Sequence, residues 1–226
     1  MATNNNLMSQ LTFKFPFKTK YFEQDFYVSS NNFSVFKLIE DWPNWPSNWV
    51  NIHGPKGSGK THLSNILNKK IKMTKIIDAT SVDNKTIATI DKINCLIIEN
   101  YTQNIDEKLL YSILNHVKQL NLYILINSYL PINNMKFSLH DLSSRAKSFV
   151  NVGIDLPTDD LLKVIISKYF SEKQIDINPK ITDYIIKNIE RSYQKVFKFM
   201  KEIDDLSLSS GKSININLIK KVLHNE

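Results

Sequence analysis

Gly54-Pro55-Lys56-Gly57-Ser58-Gly59-Lys60-Thr61 matches G-x-x-x-x-G-K-[ST], the phosphate-binding P-loop, at every defined position. A loop wrapped round phosphate must turn successive backbone N–H groups inward, and glycine tolerates the positive φ angles this needs. Lys60 supplies a point charge for the β- and γ-phosphates, and Thr61 a hydroxyl for Mg²⁺. The flanks agree: Trp49-Val50-Asn51-Ile52-His53 reads as a short buried strand, and His62 to Lys70 as the helix that follows. Strand, loop and helix in that order aim a helix N-terminus at an anion. ATP or ADP with Mg²⁺ is the expected ligand.

Outward from the loop, short apolar runs recur at Lys75 to Asp78, Asn94 to Ile98, Leu122 to Ile126 and Phe149 to Val152. Several are unbroken by polar residues, which suits a parallel sheet covered on both faces. Asp106 to Gln119 carries Leu109, Leu110, Ile113, Leu114 and Val117 at helical spacing. Upstream, a helical segment from Ser34 to Asp41 meets Trp42-Pro43-Asn44-Trp45-Pro46, whose prolines forbid its continuation. Beyond Pro157 only helices are expected, with Thr158 and Asn178-Pro179 as N-terminal signals. The expected organisation is a flexible arm (1–20), an α/β P-loop domain with a helix-flanked parallel sheet (21–155) and a small all-helical lid (156–226).

The 226 residues carry 42% hydrophobic and 23% charged side chains, the composition of an ordinary globular protein. No apolar run approaches the ~20 residues of a membrane span, and the polar, Asn-rich opening is unlike a signal peptide. A cytoplasmic protein without membrane contact is therefore expected. Cys95, the single cysteine, excludes an internal disulfide and sits in an apolar run as a small hydrophobe. A net charge of +7 invites a nucleic-acid partner, yet it also fits a general bias toward Lys, Asn and Ile. Among 29 basic residues only Arg145 and Arg191 are arginines. A rigid fork of donors does what an ammonium cannot, so both invite a functional question.

Cys95-Leu96-Ile97-Ile98-Glu99 has the form of a Walker B strand, which delivers a carboxylate to the Mg²⁺ beside the P-loop, and Glu99 is the expected acid. Asn100 stands where a self-sufficient ATPase carries a second acid, and its amide cannot act as a base. Asn127-Ser128 either orient water near a γ-phosphate, the sensor I position, or form an Asx-type turn into Pro131. Arg145, in a short helix from Leu139, stands as a finger for a neighbouring subunit's nucleotide or as an exposed structural arginine. His53, His62, His116, His140 and His224 show no metal-ligand spacing.

Taken together, the P-loop, the Walker B strand, Leu142-Ser143-Ser144-Arg145 and Glu190-Arg191-Ser192-Tyr193 resemble the AAA+ module of the DnaA replication initiators. With Gln10-Leu11-Thr12-Phe13-Lys14-Phe15 and the Trp42 to Pro46 run, the likeness is nearest to the shortened, Hda-type relatives that inactivate DnaA. The resemblance implies that Gln10, Leu11, Phe13 and Phe15 dock on the DNA polymerase sliding clamp. Arg145 would act in trans on ATP held by DnaA, and contact with DNA would be indirect, through the clamp. ADP or ATP would lie with Phe26, Tyr27 and Val28 near the adenine and Gly54, Pro55, Gly57, Ser58, Gly59, Lys60 and Thr61 on the phosphates. Asn127 and Arg191 would complete the nucleotide site, Thr61 and Glu99 would hold Mg²⁺, and a homodimer is a further expectation. The pattern departs from DnaA at Glu99-Asn100, where paired acids are usual, at Tyr129, where the sensor I residue, usually Asp, falls, and near Phe197, where the sensor II arginine falls. Arg191, Lys195 and Lys198 are left as substitutes on one helix face. The rival readings are a stand-alone ATPase of helicase-loader or DnaA-like type, and a module that binds duplex DNA through its charge.

Overall fold

The structure is a computed structural model that describes residues 25–211 and 213–223. It divides at Leu156/Pro157 into two compact units. The first holds five parallel strands: β1 (Trp49–His53), β2 (Thr74–Asp78), β3 (Cys95–Tyr101), β4 (Tyr123–Ser128) and β5 (Val150–Gly153), in the order β2-β3-β4-β1-β5. Its helices are α1 (Phe33–Glu40), α2 (Lys60–Lys70), α3 (Asn84–Ile90), α4 (Glu107–Gln119) and α5 (His140–Ala146).

Strand alternation explains the unbroken apolar runs. Leu96 and Ile98 of β3 and Ile124 and Ile126 of β4 pack on one face with Leu110, Ile113, Leu114 and Val117 of α4. Their neighbours Cys95, Ile97 and Leu125 point to the other face, against Leu63, Ile66 and Leu67 of α2 and Val35 and Ile39 of α1. Both faces of the central strands are dry, so either parity of position must be apolar. Burial pushes the Cys95 thiol up to about 12, which keeps it a packing residue.

The sheet ends hold two differences from the sequence reading. First, β3 runs on to Tyr101 and β4 to Ser128, so Asn127 and Ser128 lie within a strand. Second, α3 is an extra helix, with Asp83 accepting from the Thr86 N–H at 3.1 Å and Thr86 Oγ1 accepting from the Asp83 N–H at 3.2 Å. Its capping box uses threonine where glutamate is the usual signal, and Thr86, Ile87, Thr89 and Ile90 are β-branched, so neither pattern nor propensity announced a helix.

The second unit holds α6 (Asp159–Ser171), α7 (Pro179–Asn188), α8 (Tyr193–Ser210) and α9 (Ile216–Leu223). Leu162, Ile166, Phe170, Ile185, Val196, Phe199, Ile203 and Ile219 form its core. The expected N-caps are present, with Thr158 Oγ1 accepting from the Leu161 N–H and Asn178 Oδ1 from the Lys180 N–H ahead of Pro179. No helix among the described residues is long and apolar enough to cross a membrane.

One buried polar group ties the first unit together. Asn51, fully buried in β1, donates to the Ile126 carbonyl at 2.7 Å and to Ser128 Oγ at 2.8 Å, and accepts from the Ile132 N–H at 2.9 Å. Asn51→Leu keeps the volume near constant but removes the acceptor of the Ile132 N–H and a donor to the Ile126 carbonyl and to Ser128 Oγ. An unfolding free energy lower by about 3 kcal/mol is expected in denaturant titration, where a neutral exposed Asn→Leu change gives almost none.

Candidate nucleotide site

The P-loop joins the end of β1 to the start of α2, at the C-terminal edge of the sheet. Gly54 has φ +152, and a Cβ there would meet the Ile154 carbonyl oxygen at 2.6 Å. Gly59 has φ +95, and a Cβ there would meet Phe26 Cε2 at 2.8 Å. Both the backbone angle and the close approach demand glycine. A cleft of about 760 Å³ opens over the loop, lined by Gly54, Lys60, Thr61, Asn100, Asn127 and Tyr129 among others.

At its floor lies a polar network. Glu99, only 6% exposed, accepts from Thr61 Oγ1 at 2.9 Å and from Asn127 Nδ2 at 2.8 Å. Asn127 donates also to Ser64 Oγ at 2.7 Å. Lys60 Nζ donates to the carbonyls of Gly54 and Pro55 at 2.7 and 2.8 Å. Burial lowers the Lys60 ammonium to about 8, partly opposed by the Glu99 charge. Burial likewise lowers the neighbouring His53, with Asp155 opposing and Lys60 reinforcing.

Two buried polar atoms at this site, Ser58 Oγ and Asn127 Oδ1, have no hydrogen-bond partner among the described residues. Buried orphans are costly, so they point to a polar ligand at the cleft. Thr61 and Glu99 offer hard oxygens, and no cluster of three His, Cys, Asp or Glu able to hold a metal exists among the described residues. That set suits Mg²⁺, which takes one or two protein oxygens and completes its shell with water and phosphate. When bound, the ion would neutralise phosphate charge.

The structure therefore brings together Phe26, Gly54, Pro55, Gly57, Ser58, Gly59, Lys60, Thr61, Glu99 and Asn127. Phe26 lies over Gly59, stacked on Phe36 at 5.7 Å and edge-on to His62 at 5.4 Å. Tyr27 is exposed, and its carbonyl accepts from Asn32; Val28 is half-buried. Ser128 Oγ donates to the Leu130 carbonyl, so the turn contact falls to Ser128 while Asn127 faces the cleft. Ser64 was not foreseen, and Tyr129 lines the cleft. Ser64 had a legible signal, since three residues beyond Thr61 on a helix is the same face.

The two expected arginines each have a partner within their own unit. Arg191 belongs to the helical unit, where Nε and Nη2 meet the two Asp159 carboxylate oxygens at 3.0 and 3.1 Å. Its companions Lys195 and Lys198 lie near Glu190 and Glu202 at 3.9 and 3.5 Å. Arg145 Nη2 donates to Asn115 Oδ1 at 2.9 Å, and the side chain lines a recess with Asn48, Trp49, Lys118, Asn121 and Ser148. Those residues stand at the starts of β1 and β4, the edge opposite the P-loop. Gln10, Leu11, Phe13 and Phe15 lie outside the described residues.

No protein-family model matches the chain. It is similar to the chromosomal replication initiator protein DnaA of Buchnera aphidicola, 26% identical over 220 residues, covering 85% of this chain and 49% of that protein. The DnaA of Campylobacter jejuni is 27% identical over 197 residues, covering 78% and 44%. The chain thus spans about half the length of these curated relatives. Domain III of Thermotoga maritima DnaA superimposes with a TM-score of 0.75 at 16% identity, over 93% of this chain and 98% of that one. AMPPCP-bound DnaA from Aquifex aeolicus gives 0.66 at 18% identity, over 86% and 68%. The Thermotoga maritima RuvB Holliday junction branch migration motor gives 0.60 at 20%, over 78% and 61%. The chain thus shares its fold with domain III of DnaA and with RuvB, and its sequence is similar to that of DnaA proteins.

The lowered Lys60 value has a testable sign. Below pH 8 the ammonium is charged and ready for a phosphate; above it the amine is neutral and must take up a proton to bind. ADP affinity should be flat near pH 7 and fall about tenfold per pH unit once well above 8, with net proton uptake in calorimetry. Lys60→Met should weaken binding at neutral pH and flatten the profile.

Proposed function

We propose that this chain is a nucleotide-binding regulator of replication initiation that holds ADP or ATP with Mg²⁺ and acts on DnaA through Arg145. Residues 10–15 would tether it to the sliding clamp, through which it meets DNA. The AMPPCP-bound Aquifex aeolicus DnaA, sharing the fold, supports a nucleotide in the P-loop cleft.

The observation that carries the reading is the position of Arg145. It stands beside the first residue of β1, whereas the P-loop follows the last, about 16 Å of strand away. A guanidinium there is out of reach of its own chain's nucleotide, which supports action in trans. Its hydrogen bond goes to a neutral amide, it makes no ion pair among the described residues, and Asp141, one turn earlier on α5, lines a recess with it. An arginine finger supplies charge and a planar fork at a transferring phosphoryl group, worth about 10³ to 10⁵ in rate. Within this chain's own cleft, Asn100 offers no base, which favours a regulator over a stand-alone ATPase.

Single-turnover hydrolysis of DnaA-bound ATP, with clamp and DNA present, tests this reading. The protein should accelerate it, Arg145→Ala should not, and Arg145→Lys should fail nearly as badly while still binding ADP and clamp. Full stimulation by Arg145→Ala rules the mechanism out, and comparable turnover of ATP by the chain alone favours the ATPase reading. Replacing Gln10, Leu11 and Phe13 together by Ala should abolish capture by immobilised clamp at unchanged ADP affinity; undiminished capture removes the tether from the proposal.

A further inference from the structure

In the helical unit Lys163, Lys168, Lys173, Lys195 and Lys198 each stand within 3.9 Å of a carboxylate oxygen. Lys180 of α7 and Lys220 and Lys221 of α9 are exposed and enter no ion pair among the described residues. Lys180 lines a recess of about 370 Å³ with Asn178, Ile181, Asn215, Ile216 and Asn217. Lys220 and Lys221 line an adjoining one that shares Asn215 and Asn217. No carboxylate among the described residues lines either recess. The one acid of α7, Asp183, is engaged by Lys163 at 3.1 Å, and α9 carries none. Asn178 Oδ1 accepts from the Lys180 N–H at 2.9 Å, and Asn215 Oδ1 from the Leu218 N–H at 3.0 Å. Each of these amides spends its oxygen on its own helix, so its NH₂ is the group left for a ligand. The seam is rich in donors and poor in acceptors.

We propose that this seam between α7 and α9 binds the phosphate backbone of duplex DNA, with Lys180, Lys220 and Lys221 as the charges and the Asn178, Asn215 and Asn217 amides as neutral donors. Such a contact is the chain's own and goes beyond the function proposed above, in which DNA is met through the clamp. Phosphodiester oxygens accept hydrogen bonds and donate none, which matches the lining. Two recesses joined at Asn215 and Asn217 give an extended track, as successive phosphates require. Single strands are held by stacking bases on aromatic rings, and neither recess is lined by one. A lipid surface needs a free apolar face, but Leu218, Ile219 and Val222 of α9 are spent on the unit's core. Ile216, 40% exposed, is the one large exposed apolar side chain in the lining, too little for a protein hot spot. With phosphates as its target the seam carries no sequence preference.

Fluorescence anisotropy of a labelled duplex of about 20 base pairs, titrated with the full chain at about 50 to 200 mM salt and without clamp, tests the seam. Wild type should bind two unrelated sequences equally, more weakly as salt rises. Lys180→Gln, Lys220→Gln and Lys221→Gln together should weaken binding about tenfold or more at the lowest salt and flatten the slope of log affinity against log salt by about 2.7. Melting temperature and ADP affinity should not change. Lys163→Gln, Lys168→Gln and Lys195→Gln together remove the same charge from lysines that face carboxylates, and should flatten the slope by less than about half as much. If the first triple variant melts early, Lys220→Gln and Lys221→Gln are read singly, each expected to take about one unit off the slope. Equal losses in the two triple variants assign binding to net charge and overturn the seam. Undetectable duplex binding by wild type at the lowest salt, or unchanged affinity without the three lysines, overturns it too. A first triple variant that loses binding to phosphatidylserine vesicles but keeps the duplex makes the seam a lipid surface, and the DNA assignment falls.

Discussion

The Glu99 carboxylate is the interaction on which the rest of the first unit's site depends. An ionisable group this deeply buried is expensive unless its oxygens are hydrogen-bonded, and here the donors come from two different elements. Thr61 belongs to α2 and Asn127 to β4, while Asn127 also reaches Ser64, one turn further along α2. Satisfying Glu99 therefore pins the P-loop helix against the ends of β3 and β4. The Lys60 ammonium is buried in the same neighbourhood, where the carboxylate offsets part of its desolvation. Networks of this kind are costly when half-satisfied, and Asn127 Oδ1 within it and Ser58 Oγ in the P-loop have no partner among the described residues. The network is complete as a frame and incomplete as a receptor.

Parallel topology then decides which groups can meet. Every loop that follows a strand lies at one edge of the sheet, and every loop that precedes one lies at the other. The P-loop follows β1, so it shares its edge with Glu99, Asn100 and Asn127. Arg145 precedes β5, so it shares its edge with Asn48, Trp49 and Asn121. No rotamer of Arg145 changes this. A residue placed just before a parallel strand is committed to the far edge by chain direction alone.

The fold was legible where hydrophobic pattern and turn chemistry agreed. Both parities of β3 and β4 are apolar because both faces are covered, and Pro179 behind Asn178 marks the start of α7 without ambiguity. The P-loop needed no more than its own eight residues. What escaped was carried by side chains with two plausible uses. Asn127-Ser128 could orient water or close a turn, and the structure divides those tasks between the two residues. α3 was hidden because threonine did the capping work of glutamate. The hydrogen bond from Asn100 Nδ2 to Asp78 Oδ2 was invisible because it spans 22 positions and depends on the register of β2 with β3. Sequence spacing carries helix faces and strand parity, but not which strand lies beside which.

The two arginines complete the argument from scarcity. Arg191 spends its fork on Asp159, with two parallel hydrogen bonds of 3.0 and 3.1 Å, a geometry an ammonium cannot reproduce. That contact spans α6 and the residue just before the cap of α8, within the helical unit. It gives Arg191 a sufficient structural reason to be an arginine, so a nucleotide role for it requires breaking a good pair. Arg145 has no such reason. One bond to an Asn115 amide is within the capacity of lysine, and a neutral partner leaves the guanidinium charge available. Where lysine serves almost every other cationic position, the two arginines thus differ in how far their own fold uses the planar fork.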